Sequence, residues 1–195
     1  AHLDGFYYKP RVDKELLRRY SEGLIALSAC ITGEIAKSIL NNRITEAESI
    51  AREYEEIFGK GNFYLEIGHH PGIKETIKAN EGLIALSKKT NIPLAATHDI
   101  HYVKKEDAEY HDILLAVQTG NTILDKNRLT LKADDFSMAS PEEMAGFFAD
   151  VPEAIENTVK IAEQCNVEIE LGKTQLPRFN VPDNKTASDY LRELI

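Results

Sequence analysis

The sequence predicts an α/β fold with a mostly helical C-terminal part. Three observations carry that expectation. Short apolar runs at residues 23–28, 63–67 and 92–97 have the length and composition of buried strands. Amphipathic stretches of helical period lie between them. From residue 105 onward the strand-like runs give way to helical ones, roughly 105–118, 141–148 and 152–165. Strands alternating with crossover helices indicate a parallel sheet or barrel, with right-handed crossovers bringing the C-terminal strand ends to one rim.

Residues 23–28 (Gly-Leu-Ile-Ala-Leu-Ser) make the first strand. Ala47, Ile50, Ala51, Tyr54, Ile57 and Phe58 then share one helical face. Thr45 and Glu48 have capping-box spacing, and Gly59 stops that helix. Residues 63–67 alternate as the second strand, and residues 80–90 read as a helix. The third strand, 92–97, carries Pro93 near its start, where a missing donor matters least. Ser140-Pro141-Glu142-Glu143 is a second capping box, with proline at the first helical position. Residues 167–171 suggest a short edge strand, and residues 176–183, with Pro177 and Pro182, an extended connector. A further helix begins at 186–195. A boundary near 172–184 divides the chain into a domain of residues 1–172 and a connector of residues 173–195.

Composition excludes several function classes. No apolar run in the 195 residues approaches the roughly 18–20 that a membrane span needs. The opening AHLDGFYYKPR is not a secretory signal, and two cysteines, Cys30 and Cys165, make no disulfide framework. A cytoplasmic location with reduced thiols is the expectation. The net charge of −9 argues against strong nucleic-acid binding by this chain alone. Lys88-Lys89 and Lys104-Lys105 read as solvated helix ends. There is no glycine-rich phosphate loop, Gly-x-Ser-x-Gly elbow or Cys-x-x-Cys pair.

In parallel α/β folds, ligands gather at the C-terminal ends of strands. Here those ends carry Cys30, then His69-His70, then His98-Asp99-Ile100-His101. Thiol, imidazole and carboxylate are donors for zinc, manganese or iron. Asp99 and His101, two apart, point the same way on an extended backbone. Each residue also has a plainer reading: Cys30 as a small buried apolar group, His69-His70 beside Pro71-Gly72 as surface sequence, His111 as helix packing or capping. Spacing alone leaves both readings open.

Four segments carry a family resemblance: GFYYKPRVD (5–13), GLIALSAC (23–30), ATHDIHYVKKEDAEYHDILLAVQTG (96–120) and the stretch 140–182. Together they resemble the PHP (polymerase and histidinol phosphatase) domain of bacterial replicative DNA polymerase III alpha subunits. The resemblance implies the C-terminal two-thirds of a distorted (β/α)7 barrel, whose metal cluster is held by histidines, acidic residues and one cysteine. Cys30, Asp99 and His101 match ligand positions. His98 stands where the family usually has asparagine. Zinc or manganese would fill an intact site, and phosphoesterase or 3′–5′ exonuclease activity would follow. In members without the ligands the role is structural.

By the same resemblance the parent is a magnesium-dependent DNA polymerase, a nucleotidyltransferase of DNA replication. Its partners would be the rest of the alpha subunit, the replication holoenzyme and DNA. The family's opening His-x-His motif would precede Gly5, and His2 does not match it. The chain therefore reads as a fragment without the polymerase active site, inactive by itself and self-associating through exposed edges. A free-standing PHP phosphatase and a non-catalytic scaffold are the rival readings.

Overall fold

A computed structural model describes all residues except Ala1, Asp4, Gln175, Pro177, Arg178, Asp183 and Asn184. The described chain parts into two units, Ala1–Gln164 and Cys165–Ile195.

The first unit opens with a two-strand antiparallel hairpin, β1 (Phe6–Tyr7) and β2 (Lys9–Pro10), followed by α1 (Lys14–Tyr20). Asp13 caps α1 by accepting a hydrogen bond from the Leu16 amide at 2.8 Å. After β3 (Ala26–Leu27) come α2 (Glu34–Leu40), α3 (Ile44–Phe58), β4 (Phe63–Gly68), α4 (Lys74–Thr90) and β5 (Leu94–Thr97). A 3-10 turn at Lys105–Asp107 leads into α5 (Ala108–Gln118), and α6 (Pro141–Phe147) and α7 (Pro152–Gln164) complete the unit. The second unit carries α8 (Ala187–Leu194), whose Thr186 cap accepts from the Asp189 amide.

β3, β4 and β5 form one parallel sheet in that order. The α/β class and the three strands agree with expectation, although β3 is only two residues long. Its backbone pairing ends where Ser28 donates to the Tyr64 carbonyl, and Ala29 then turns into the left-handed region at φ +64°. The core lies between sheet and helices. Ile35 and Ile39 of α2, Ala47 and Ala51 of α3, and Leu83 and Leu86 of α4 close on Phe63, Leu65 and Ile67. Deep burial of this cluster is the main favourable term for the unit. β5 is the last strand in the order, and α7 packs against it. There the Asn157 amide donates to the Leu94 carbonyl at 2.8 Å, satisfying a buried acceptor.

Several boundaries differ from the sequence expectations. α4 starts at Lys74 rather than near residue 80, because Thr76 and Ala79 continue the buried stripe of Leu83, Leu86 and Thr90. Thr45 and Glu48 form no capping box. The helix starts one residue before Thr45, and Glu48 instead bridges Arg52 at 2.9 Å and Lys89 of α4 at 2.6 Å. Ser140 and Glu143 do form the box, and Gly59 ends α3 at φ +86°. Residues 167–171 are exposed and form no strand, since Val167, Ile169 and Leu171 find no neighbouring strand among the described residues. Of the expected connector, Pro177, Arg178 and Asp183 lie outside the described residues, and the others carry no α-helix or strand.

Candidate metal centre at the strand ends

Because the sheet is parallel, β3, β4 and β5 all deliver their following residues to the same edge. The β3 exit is tight. Gly33 donates to the Cys30 carbonyl at 2.8 Å, and a side chain at Gly33 would come within 2.5 Å of the Ser28 carbonyl oxygen. The left-handed Ala29 and this glycine together turn Cys30 outward, and its thiol is exposed, 3.1 Å from the Thr32 hydroxyl. Cys30 is therefore not a packed apolar group.

At the β4 exit, the Asn80 side chain donates to the Gly68 carbonyl at 2.7 Å and accepts from its amide at 3.3 Å. This clamp fixes where the chain leaves the sheet, and the two histidines that follow separate. His69 stacks on Phe147, with ring centroids 3.8 Å apart and planes 2° apart. His70 turns into a cavity of about 400 Å³ whose walls include Cys30, Glu66, His98 and Asp99. Phe136 packs on the His70 ring at 4.5 Å, and His98 stacks at 5.5 Å.

The electrostatics of this cavity are unusual in one respect. Both ring nitrogens of His70 are buried with no hydrogen-bond partner, and so is Nδ1 of His98. The Asp134 carboxylate stands 3.9 Å from His70 Nδ1, too far for a hydrogen bond. Burial pushes the His70 imidazole below its ordinary pKa, against the opposing pull of Asp134. His69 is lowered by burial in the same way. His98 Nε2 lies 2.9 Å from the Ser137 carbonyl, which can only accept, so Nε2 carries the proton and a neutral His98 leaves Nδ1 as an unused lone pair. Glu66 accepts from the Thr97 hydroxyl at 2.8 Å. Unused imidazole lone pairs beside a thiol and two carboxylates are a donor set that suits a borderline divalent cation.

The three sequence-predicted ligands are distributed unevenly. Asp99 and Cys30 line the same cavity. Asp99 and His101 touch, with Oδ1 to Nε2 at 3.1 Å. His101 itself packs edge-on against Phe136 and His111 rather than facing the cavity wall. Among the described residues, no three His, Cys, Asp or Glu side chains converge as a ready-made cation site. Sequence reasoning reached His69 and His70 through the strand-end rule but could not say which ring turns inward. What it missed is that His70, and not His69, turns into the cavity, and nothing local in the sequence distinguishes the two. His111 packs on His101 and Tyr102, in line with the packing role expected for it.

Comparison with known proteins gives a class for such an α/β unit with donors at its strand ends: residues 1–70 match the PHP domain. The whole chain is similar to DNA polymerase III subunit alpha, with 42% identity to that of Treponema pallidum, 43% to that of Borreliella burgdorferi and 42% to that of Thermus aquaticus. All of the chain is covered in each comparison, against 17%, 17% and 16% of those proteins. The chain thus spans about one sixth of the length of the curated relatives it matches.

Proposed function

We propose that the chain supplies the PHP part of a replicative DNA polymerase alpha subunit, and that its strand-end rim is a metal-assisted phosphoester-cleaving site. Residues 1–172 would be a partial (β/α)7 PHP barrel and residues 173–195 a connector towards the palm. In that setting the parent protein transfers deoxynucleotides with magnesium in the cytoplasm. Its partners are the rest of the subunit, the holoenzyme and DNA. Nothing at the rim takes part in polymerisation.

The observation that carries the rim reading is buried His70 and half-buried His98, with unused ring nitrogens, in a cavity shared with Cys30 and Asp99. Cys30, Asp99 and His101 are the proposed ligands, with His70 added by its orphaned nitrogens. Zinc or manganese suits that set, and such an ion supplies a water of lowered pKa and neutralised phosphate charge. The protein's own contribution is positioning. Asn80 holds the β4 exit, Ser137 fixes the His98 tautomer, and Asp99 orients the His101 ring. No helix among the described residues is long and apolar enough to cross a membrane.

Cobalt(II) titration tests the reading without relying on turnover. A thiolate-to-cobalt band that disappears in Cys30→Ser is expected. Asp99→Asn or His70→Ala removes a proposed ligand and should weaken binding by at least the roughly 10–100-fold that losing an outer supporting partner costs. A band that persists in Cys30→Ser, or unchanged affinity in Asp99→Asn, overturns it. The absence of a converging triad among the described residues favours weak binding by this chain, and slow hydrolysis of phosphodiesters with added manganese. The same observation supports the scaffold reading, in which the domain braces the polymerase and copies of the chain self-associate.

A further inference from the structure

The opening hairpin lies outside the site just described and has its own chemistry. Three consecutive aromatic residues, Phe6, Tyr7 and Tyr8, are all exposed, Tyr8 to 83%. Tyr8 forms the tip alone, because Tyr7 pairs with Lys9 across it, and its backbone is left-handed at φ +59°. That conformation costs a non-glycine residue about 1–2 kcal/mol, so glycine or asparagine would be the ordinary choice at such a tip. A tyrosine there places a large ring mostly in solvent at a backbone cost, with Tyr7 as its one ring contact among the described residues. Tyr7 stands edge-on to it, with ring centroids 4.7 Å apart, and the Arg11 guanidinium lies over the Tyr7 ring at 5.7 Å.

The charge around the hairpin runs against the rest of the molecule. The first twenty residues hold five Lys and Arg against three Asp and Glu, in a chain whose net charge is −9. Two of the five are engaged: Lys14 pairs with Glu34 and Glu53, and Arg18 with Glu53. Lys9, Arg11 and Arg19 have no carboxylate partner among the described residues. Arg11 and Arg19 line a cavity of about 370 Å³ beside the hairpin. Its acidic members are Asp13, already accepting in the α1 cap, and Glu15.

We propose that this hairpin and the Arg11–Arg19 cavity bind single-stranded DNA, with bases stacking on Tyr8 and Tyr7 and phosphates meeting Lys9, Arg11 and Arg19. Unpaired bases expose their faces to such rings, whereas duplex bases are already stacked. The combination of aromatic platform and unpaired cations is therefore selective for strands over duplexes. The proposal is independent of the metal centre, since none of its residues lines that cavity.

Fluorescence anisotropy with labelled oligo(dT), a duplex and oligo(U) of equal length tests it on the whole chain. Oligo(dT) is expected to bind more tightly than the duplex, and oligo(U), whose bases can stack on the same rings, no more tightly than oligo(dT). Tyr8→Ala should weaken that binding roughly five- to a hundredfold, the range for losing one stacked base. Tyr8→Phe, which keeps the ring, should restore it. Arg11→Gln and Arg19→Gln should each reduce the slope of log affinity against log salt by about 0.7, as one lost phosphate contact on a single strand would. Tyr8 touches no core residue, so the variant keeps its fold and a null result is interpretable. Equal affinity for duplex, preference for oligo(U), or Tyr8→Ala binding like the parent chain each overturns the proposal.

Discussion

Residues 26–97 and residues 98–140 sit in the same unit but are held differently. In the first stretch, every residue of β4 except Glu66 and Gly68 is buried, and helices α2, α3 and α4 close over them with apolar side chains. In the second, only Asp112, Ala116, Phe136 and Ser137 are buried, and two of those four are polar or charged. What orders the stretch after α5 is a cluster around Asp112. Arg128 donates to both of its carboxylate oxygens at 2.6 and 2.5 Å, Thr130 donates at 2.8 Å, and Lys132 lies at 2.9 Å. One half derives its order from area removed from water and the other from directional bonds to a single anion. The second half carries Asp99 and His101 and, through Phe136 and Ser137, supports His70 and His98. The site's adjustable wall is thus the part with little apolar packing.

The sharpest break of that comparison is in the sheet. Leu65 is fully buried, and Leu65→Ala should cost about 2–5 kcal/mol in urea unfolding. Leu114, two-thirds exposed on α5, should change stability by no more than about 0.5 kcal/mol when cut to alanine. Comparable losses at the two positions would abolish the distinction.

In the polar half, Asp112→Asn should leave the main unfolding transition of the sheet in place. It should speed amide exchange across residues 121–135 by about tenfold or more, since bonds to a charged group are lost locally. The Arg128 guanidinium, then the Lys132 ammonium, hold the Asp112 carboxyl well below the usual carboxylate range. A depressed folded-state pKa stabilises at pH values above the unfolded value, near 3.9, and that stabilisation fades as pH falls towards the folded value. Exchange in 121–135 should therefore be indifferent to this group from neutral pH down to about 4 and accelerate only in stronger acid. Acceleration already at pH 6 would point to a different anchor.

Gly82 offers a finer test on the apolar side. It lies within α4, where alanine would ordinarily gain about 0.5–1 kcal/mol, yet a Cβ there would sit 2.3 Å from Cγ2 of Ile39. Ile39 is itself buried, so the clash should dominate and Gly82→Ala should destabilise by about 1–2 kcal/mol net. A stabilised variant would mean that α2 and α4 approach less closely than they do here.

The same division explains what could be read in advance. β4, α3 and α6 were legible because alternation, a helical stripe and the Ser140 box are local patterns. The first turns of α4 were not, because Thr76 and Ala79 are buried without being strongly apolar. Thr45 and Glu48 had the right spacing for a cap, but Lys89 and Arg52 offered Glu48 stronger partners. At the site, a shared direction for Asp99 and His101 was legible from their two-residue spacing, and the two side chains touch. The choice between His69 and His70 was not, since it depends on Asn80, Phe136 and Phe147, all distant in sequence. The Asp112 cluster, with partners 16 to 18 or more residues away, has no local signature at all.

The smallest expected effect falls where the two halves meet the rim. Ala29 holds φ +64° immediately before Cys30, a conformation that costs alanine about 1–2 kcal/mol and glycine almost nothing. Ala29→Gly relieves that cost but also gives the unfolded chain more freedom, which opposes it by about 0.4–1 kcal/mol. The two nearly cancel, so the variant should be more stable by only about 0.5 kcal/mol in urea unfolding. Ala29→Val, with a branched side chain forced into the same conformation, should be clearly destabilised instead. If Ala29→Gly were destabilised by more than about 1 kcal/mol, the methyl group rather than the backbone would be the important feature, packing on the Gly33 turn. The tight exit that presents Cys30 would then be held from the side-chain direction, and the left-handed residue would no longer explain why the thiol faces outward.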